Sequence, residues 1–503
     1  MTLPDRPDRG MKRRTALKTL AGTGVAMATG SLLVACNGKG EPLSDSTKLA
    51  LNNAVQGKVY WRGDEAYETA RGATCYRANK PKRFPQVIVQ PTNDKDVIAA
   101  VKFAKEHGLK VTTRSGGHSW ASAHIRDDCL LIDMGRMQEV TIDEKAQTLW
   151  VNPGVIGSVI NQQLAPYDLI VPTAHHPSPG IGGFCMNGGF GWNSRLWGNG
   201  ARHVLAIDIV TADGELIRAD PTQNTDFYWA ARGGGAGFFG VITRMQLQAR
   251  PRPKVWKATV YSFDDAAAVF DDVMTWACNI VPRVPPHLEL VMTTTSNKRD
   301  TGEPCPPRIS IAALALTDDE AQADEALALL DSVPHRDKAD FKVEKAPTTL
   351  EDRYQSGFKA DPAGMRFAAD NMYTDTPTEK LVPRLRKVFL EQPTPHTHTF
   401  WFAWGPCKPF PKDMALSMQG PIYVGTYTLW TDPAQDELME AWPPTRMKEL
   451  ADLSLGGQLN DENMLHHPQR YFTDEAWAKY EALKKRHDPE GRFEGFLGKP
   501  MPV

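Results

Sequence analysis

Arg114-Ser115-Gly116-Gly117-His118-Ser119 is the stretch on which the reading of this chain turns. A cation, two glycines and a histidine follow one another where a predicted strand ends. Residues 86–90 read as a short β-branched strand. Residues 92–107 read as a helix, with Val97, Val101 and Ala104 on one face and Gly108 just past its end. Residues 109–113 supply the next strand, so the loop closes a βαβ unit. Glycine lets backbone N–H groups approach a pyrophosphate, and arginine adds a fixed cationic fork. Standing alone, the six residues also read as a Gly-Gly turn with a solvated histidine.

Three more glycine runs follow: Gly180-Ile181-Gly182-Gly183, then Asn187-Gly188-Gly189-Phe190-Gly191, then Arg232-Gly233-Gly234-Gly235-Ala236-Gly237. Glycine at this density between strand-like runs means backbone packed where no Cβ fits. Residues 204–211 alternate and run into Ala212-Asp213-Gly214-Glu215, a hairpin turn. With these loops in order, the chain resembles the PCMH-type flavoproteins of the vanillyl-alcohol oxidase superfamily and, within them, the berberine-bridge-enzyme-like, oligosaccharide-oxidase-like oxidases. The resemblance covers residues 84–253 well and the C-terminal segment more loosely.

The resemblance implies an α+β fold. A PCMH-type FAD-binding domain of two α/β subdomains is joined by an α+β substrate domain, an antiparallel sheet covered by helices. It implies that FAD is held by Arg114, Ser115, Gly116, Gly117, His118, Ser119, Pro153, Gly154, Gly180, Gly182, Gly183, Asn187, Gly188, Gly191, Gly240 and Ile242, with His118 bonded to the flavin 8α carbon. Many members attach the flavin a second time through a cysteine. Here that position falls on His176, and Cys185 lies outside the slot, so His118 is expected to be the sole covalent tie. The family usually has histidine after G-x-G-G, and Phe184 stands there instead. An 8α-histidyl link withdraws electron density from the ring and prevents loss of the cofactor, leaving orientation and electrostatics to the protein. The chemistry implied is hydride transfer from a substrate carbon to the flavin while a base removes a proton from the adjacent O–H or N–H.

The base is less legible. Relatives often carry a tyrosine after a G-G-x pattern, and Gly456-Gly457-Gln458-Leu459-Asn460-Asp461 has leucine in that slot. Tyr423 and Tyr427 lie four apart on a predicted strand over residues 422–429, hence on one face. They match tyrosines of a similar strand in the family and are candidate catalytic residues, against a reading as half-buried core aromatics. Asp461 is a further candidate. Trp401, Trp404 and Trp430 read as core packing, with a sugar-stacking platform as the alternative.

The 503 residues exceed one ordinary core. Hydrophobic content of 41% and charged content of 23% are those of a globular protein, and a net charge of −2 gives no reason to expect nucleic acid as a partner. The divisions expected are a signal over 1–36, a linker over 37–57, the FAD domain over 58–250, the substrate domain over 251–455, and a C-terminal segment over 456–503 that returns to the FAD domain. Pro251-Arg252-Pro253 reads as the connecting linker. Helices are expected at 266–280, 318–330 and 471–486, and strands at 308–316 and 398–404.

Lys12-Arg13-Arg14-Thr15-Ala16-Leu17-Lys18 before a weakly apolar run over 19–35 resembles a twin-arginine export signal, which implies the twin-arginine translocase as a transient partner and a periplasmic or envelope location. Leu33-Val34-Ala35-Cys36 resembles a bacterial lipobox. Acylation of Cys36 is the one membrane attachment considered, against simple cleavage near Ala35. Six cysteines remain, an even number that permits disulfides without choosing among them. No metal is expected from His175-His176 or His466-His467, since adjacent histidines point apart. The expectation is an exported FAD-dependent oxidoreductase acting on a small-molecule alcohol, hemiacetal, phenol or amine carbon, with oxygen as acceptor. The alternatives are a dehydrogenase using a quinone or carrier, and a flavin-binding lipoprotein without catalysis.

Overall fold

Three β-branched or leucine-rich runs build the first sheet. Strands Val87–Gln90, Leu130–Asp133 and Val111–Arg114 lie parallel in that spatial order, and Lys58–Trp61 pairs antiparallel on the outer edge. Val87, Ile88, Val89, Leu130, Leu131 and Ile132 are fully buried, as strands covered on both faces must be. The crossover helix is Asp94–Glu106. It starts later than the periodicity predicted because Asn93 caps it, accepting from the Lys95 and Asp96 amides. These features belong to a computed structural model, which describes residues 43–296, 307–405, 410–498 and 500. The export signal, Cys36, Cys305 and Cys407 therefore lie outside the described residues.

A second, five-stranded antiparallel sheet runs in the order Val140–Asp143, Thr148–Val151, Val241–Gln248, Val204–Val210, Leu216–Ala219. The hairpin at Asp213-Gly214 forms as its sequence foretold. The Pro251 region is not a slack linker. Arg250–Pro251 pairs with Leu169–Ile170, and the Arg252 amide donates to the Asp168 carbonyl at 2.8 Å.

The chain then builds a seven-stranded antiparallel sheet in the order Phe341–Pro347, Val255–Phe263, Arg308–Thr317, Leu288–Thr295, His398–Ala403, Ile422–Trp430, Arg366–Thr374. The two-residue period sorts its side chains. Ile309, Ile311, Trp401, Ala403, Ile422 and Val424 face a core shared with helices Ala266–Ile280 and Thr378–Leu390. Ala312, Phe400, Phe402, Tyr423 and Tyr427 face a cavity on the other side. Trp401 and Trp404 are 0% exposed and Trp430 2%, so all three are core residues and none forms a sugar-stacking platform.

The C-terminal segment closes the structure. Helix Asp474–His487 begins at a Thr473 cap, and after it Asp488 accepts from the Arg492 and Phe493 amides. Phe493 pairs in parallel with Val111: the Val111 amide donates to the Arg492 carbonyl at 2.8 Å, and the Glu494 amide to the Val111 carbonyl at 3.0 Å. The Asp-Pro-x-x-x-Phe stretch thereby extends the first sheet beside Arg114. Cys75, Cys129, Cys185 and Cys278 are buried and unbonded, so no disulfide joins the described cysteines. Replacing Trp401 by alanine should cost about 3–5 kcal/mol of stability, read as a lowered urea midpoint.

Candidate active site

The site begins where two glycine loops touch. A Cβ on Gly116 would sit 2.3 Å from the Gly180 nitrogen, and one on Gly180 would sit 2.6 Å from the Gly116 nitrogen. Gly117 has φ +70°, and a Cβ there would meet the Thr74 carbonyl at 2.0 Å. Only glycine permits this approach. The Ser115 hydroxyl is placed between the loops, donating to the Pro153 carbonyl and accepting from the Gly183 amide at 3.2 Å. The short helix Ile181–Met186 starts at this junction.

Against these loops lies a cavity of about 560 Å³. Arg114, Ser115, Gly116, Gly117, His118, Ser119, Gly180, Gly183 and Asn187 line it. The remaining predicted contacts stand back. Pro153 supplies the carbonyl that ties Ser115 and Gly182, and Gly154 passes close under the Met134 carbonyl. Gly182 packs on Pro153, Gly188 on Leu416, and Gly191 on the Thr173 carbonyl. Gly240 packs on Ile209, and Ile242 is a buried rung of the second sheet, so neither lines the cavity. A glycine pressed against protein backbone looks the same in sequence as one pressed against a ligand.

Arg114 also differs from expectation. Its Nη1 is 2.9 Å from Asp133 Oδ1 and its Nη2 donates to the Gly116 carbonyl at 2.8 Å. The fork braces the loop from within instead of standing free for a phosphate. Phe184 is buried and fills the space between Gly189, Gly191 and Gly200.

His118 lies in the cavity wall with Tyr76 stacked on it at 4.2 Å and His176 beside it at 4.8 Å, centroid to centroid. Its Nε2 is 3.1 Å from Ser178 Oγ. Burial, then the neighbouring His176, lowers its pKa to about 3, so the ring is neutral and nucleophilic at ordinary pH. His176 and His175 diverge: His176 meets Ser178 and Tyr76, whereas His175 Nε2 is 3.1 Å from Glu289 Oε2. Glu289 also accepts from the Asn193 amide at 2.6 Å.

The three catalytic candidates converge. Asp461 Oδ2 accepts from Tyr427 at 2.8 Å and from Tyr423 at 3.2 Å, and the two hydroxyl oxygens are 3.0 Å apart. Asn371 pins the turn that presents Asp461, donating to the Gln458 and Asp461 carbonyls and accepting from the Gln458 amide. Burial raises the Asp461 pKa to about 6, against the two tyrosine hydrogen bonds that lower it. Burial holds both tyrosine hydroxyls well above their ordinary value, so they act as donors. Glu462, next along, is raised to about 7 by burial.

Residues the sequence did not reveal complete the lining: Tyr76, His124, Glu289, Arg353, Phe402 and Glu462. Glu289 left a signal, since a carboxylate interrupts the apolar run Leu288-Glu289-Leu290-Val291-Met292. Arg353 forms no ion pair among the described residues, and its buried Nε has no partner there.

Comparison with known proteins agrees with the geometry. The model of a family described as an FAD binding domain matches residues 85–220. The FAD-linked oxidoreductase nodO of Hypoxylon pulicicidum is 28% identical over 446 residues, 87% of this chain and 97% of the relative. Among solved structures, 6-hydroxy-D-nicotine oxidase from Arthrobacter nicotinovorans superposes with a TM-score of 0.76 at 19% identity, over 88% of this chain and 98% of that one. The BBE-like 1 protein of Physcomitrella patens gives a TM-score of 0.76 at 19% identity, over 90% of this chain and all of the other. The fold is the PCMH-type one, and the chain is an FAD-linked oxidoreductase. The residues present fit the cofactor: two loops that meet through Gly116 and Gly180 border the cavity, and a neutral histidine stands in its wall. Gly116→Ala should force these loops apart, costing about 1–3 kcal/mol. The flavin-to-protein absorbance ratio should fall with it.

Proposed function

We propose that this FAD-linked oxidoreductase oxidises a small molecule at an alcohol, hemiacetal, phenol or amine carbon, with Asp461 receiving the substrate proton and His118 as the sole covalent tie to the flavin. The observation that carries the reading is the Asp461–Tyr423–Tyr427 cluster, on the cavity wall formed by the seven-stranded sheet. When bound, the flavin supplies the two-electron acceptor for hydride from a substrate carbon. Every other part belongs to the chain. Gly116, Gly117, Gly180 and Gly183 would border the cofactor, and His118 would fix it in place.

Asp461 suits a general base because its pKa of about 6 lies close below neutrality, so it is ionised yet basic at working pH. Tyr423 and Tyr427 donate to one oxygen, Oδ2, which directs Oδ1 to be the proton acceptor. As Asp461 is protonated, the hydroxyl of Tyr423 or Tyr427 is released to donate to a substrate oxygen or nitrogen. Phe190, Phe402 and Trp192 give the neighbouring wall an apolar surface that excludes water. A carboxylate thus stands in for the tyrosine missing from the Leu459 slot, which argues against a flavin-binding lipoprotein without catalysis.

Dioxygen is the acceptor we assign. Aerobic turnover should yield peroxide, whereas a quinone- or carrier-linked dehydrogenase would not. We also assign export by the twin-arginine route on residues 12–35, followed by cleavage near Ala35 or acylation of Cys36. A tied cofactor suits a protein that cannot recruit new FAD outside the cytoplasm.

The cofactor reading is tested on acid-precipitated protein. The pellet should stay yellow in the wild type, and His118→Ala should release its flavin to the supernatant; a colourless wild-type pellet overturns the covalent tie. For the base, a substrate is first found by anaerobic bleaching of the flavin against sugars, alcohols and amines. kcat/KM for it should then fall as pH drops below about 6, because Asp461 must be ionised. Asp461→Asn should lower kcat by about 10²–10⁴-fold and abolish that limb. Tyr427→Phe removes a hydrogen bond that favours the carboxylate, so the limb should move to higher pH.

A further inference from the structure

We propose that Ser178 and His176 form a proton relay that fixes the reacting tautomer of His118 and takes its proton as the flavin link forms, so that the chain attaches its own cofactor. This rests on the reading of His118 as the covalent tie. It assigns a role to the residue standing where a second anchor was sought.

The hydrogen bonds at Ser178 are satisfied together in the following arrangement. The Ser178 amide donates to His176 Nδ1 at 3.2 Å, so that nitrogen carries a lone pair. Ser178 Oγ lies 3.0 Å from the same Nδ1 and therefore donates its proton there. With that proton committed, Oγ is left to accept from His118 Nε2, 3.1 Å away. His118 thus holds its hydrogen on Nε2 and its lone pair on Nδ1. Beyond the relay, His176 Nε2 faces the Tyr76 hydroxyl oxygen at 3.4 Å, and Tyr76 donates to the Asp361 carbonyl at 2.8 Å. In this line no donor meets a donor. Tyr76, stacked on the imidazole, also holds the plane of the ring.

The net step joins His118 Nδ1 to the 8α carbon of FAD and breaks one 8α C–H bond, whose proton is released to solvent. The Nε2 proton leaves through Ser178 to His176 and then to solvent. The two electrons of the C–H bond pass by way of the cofactor to dioxygen, which takes up two protons and departs as hydrogen peroxide. The Asp361 carboxylate favours positive charge on His176 while it carries the proton, opposing the burial that disfavours it.

The test uses full-length protein made under riboflavin limitation and then incubated with FAD in air. Flavin bound before denaturation and flavin retained after acid precipitation are followed in time. Wild type should retain flavin, linked at Nδ1 by nuclear magnetic resonance of the flavinyl peptide. Ser178→Ala and His176→Ala should bind FAD at wild-type stoichiometry but attach it at least tenfold more slowly, and added imidazole should speed His176→Ala alone. If either alanine variant does not bind FAD, Ser178→Thr, which keeps the hydroxyl, should attach normally, and His176→Gln, which cannot take a proton, should not. Variants that attach at the wild-type rate, or a link at Nε2, overturn the relay and leave the His118 tie standing. Wild-type flavin that comes away on denaturation overturns both.

Discussion

The contact between Gly116 and Gly180 is the constraint on which the site depends. Their nitrogens and α-carbons approach to distances at which any Cβ would collide with backbone. That approach brings the end of a parallel strand, Val111–Arg114, against the helix Ile181–Met186. It also sets His118 next to Ser178 and His176, sixty and fifty-eight residues away in sequence. Arg114 is drawn into the same junction. Its charge is satisfied by Asp133 and its fork holds the Gly116 carbonyl, so the loop is braced from inside.

The opposite wall is governed by a different rule. A seven-stranded antiparallel sheet assigns alternate side chains to its two faces. One face meets helices and is mainly apolar, with Thr399 donating to the Val388 carbonyl of the covering helix; the other carries Phe402, Tyr423, Tyr427 and Glu289 into the cavity. Polar groups on that second face are affordable because each finds a partner: Glu289 has His175 and an amide, and the tyrosines have Asp461. The carboxylate completing the cluster comes from the C-terminal return, held to the sheet by Asn371. The site is thus assembled from three separated stretches.

Much of the framework was legible. The helix after the first strand, the hairpin at Gly214, the helix Ala266–Ile280 and the strands near 308–317, 398–403 and 422–430 follow from periodicity and turn chemistry, which are local. The R-S-G-G-H-S loop and the three later glycine runs announced close backbone approach. What they could not announce was the partner. Gly116 borders the cavity, whereas Gly240 is pressed on Ile209. Likewise the Pro-rich stretch at 251 reads as slack chain, yet a pairing with Leu169–Ile170 binds it.

Sequence by itself determined the first strand–helix–strand unit, the hairpin at Gly214, the glycine loops, the resemblance to FAD-linked oxidases and the common face of Tyr423 and Tyr427, because each rests on neighbours within a few residues. Only the tertiary structure decided that Asp461 joins those tyrosines, that Arg114 turns to Asp133, and that Ser178 bridges His118 to His176. These depend on chain closure over long separations, where burial raises a carboxylate pKa or lowers that of an imidazole. No local pattern encodes which distant group will share a desolvated pocket.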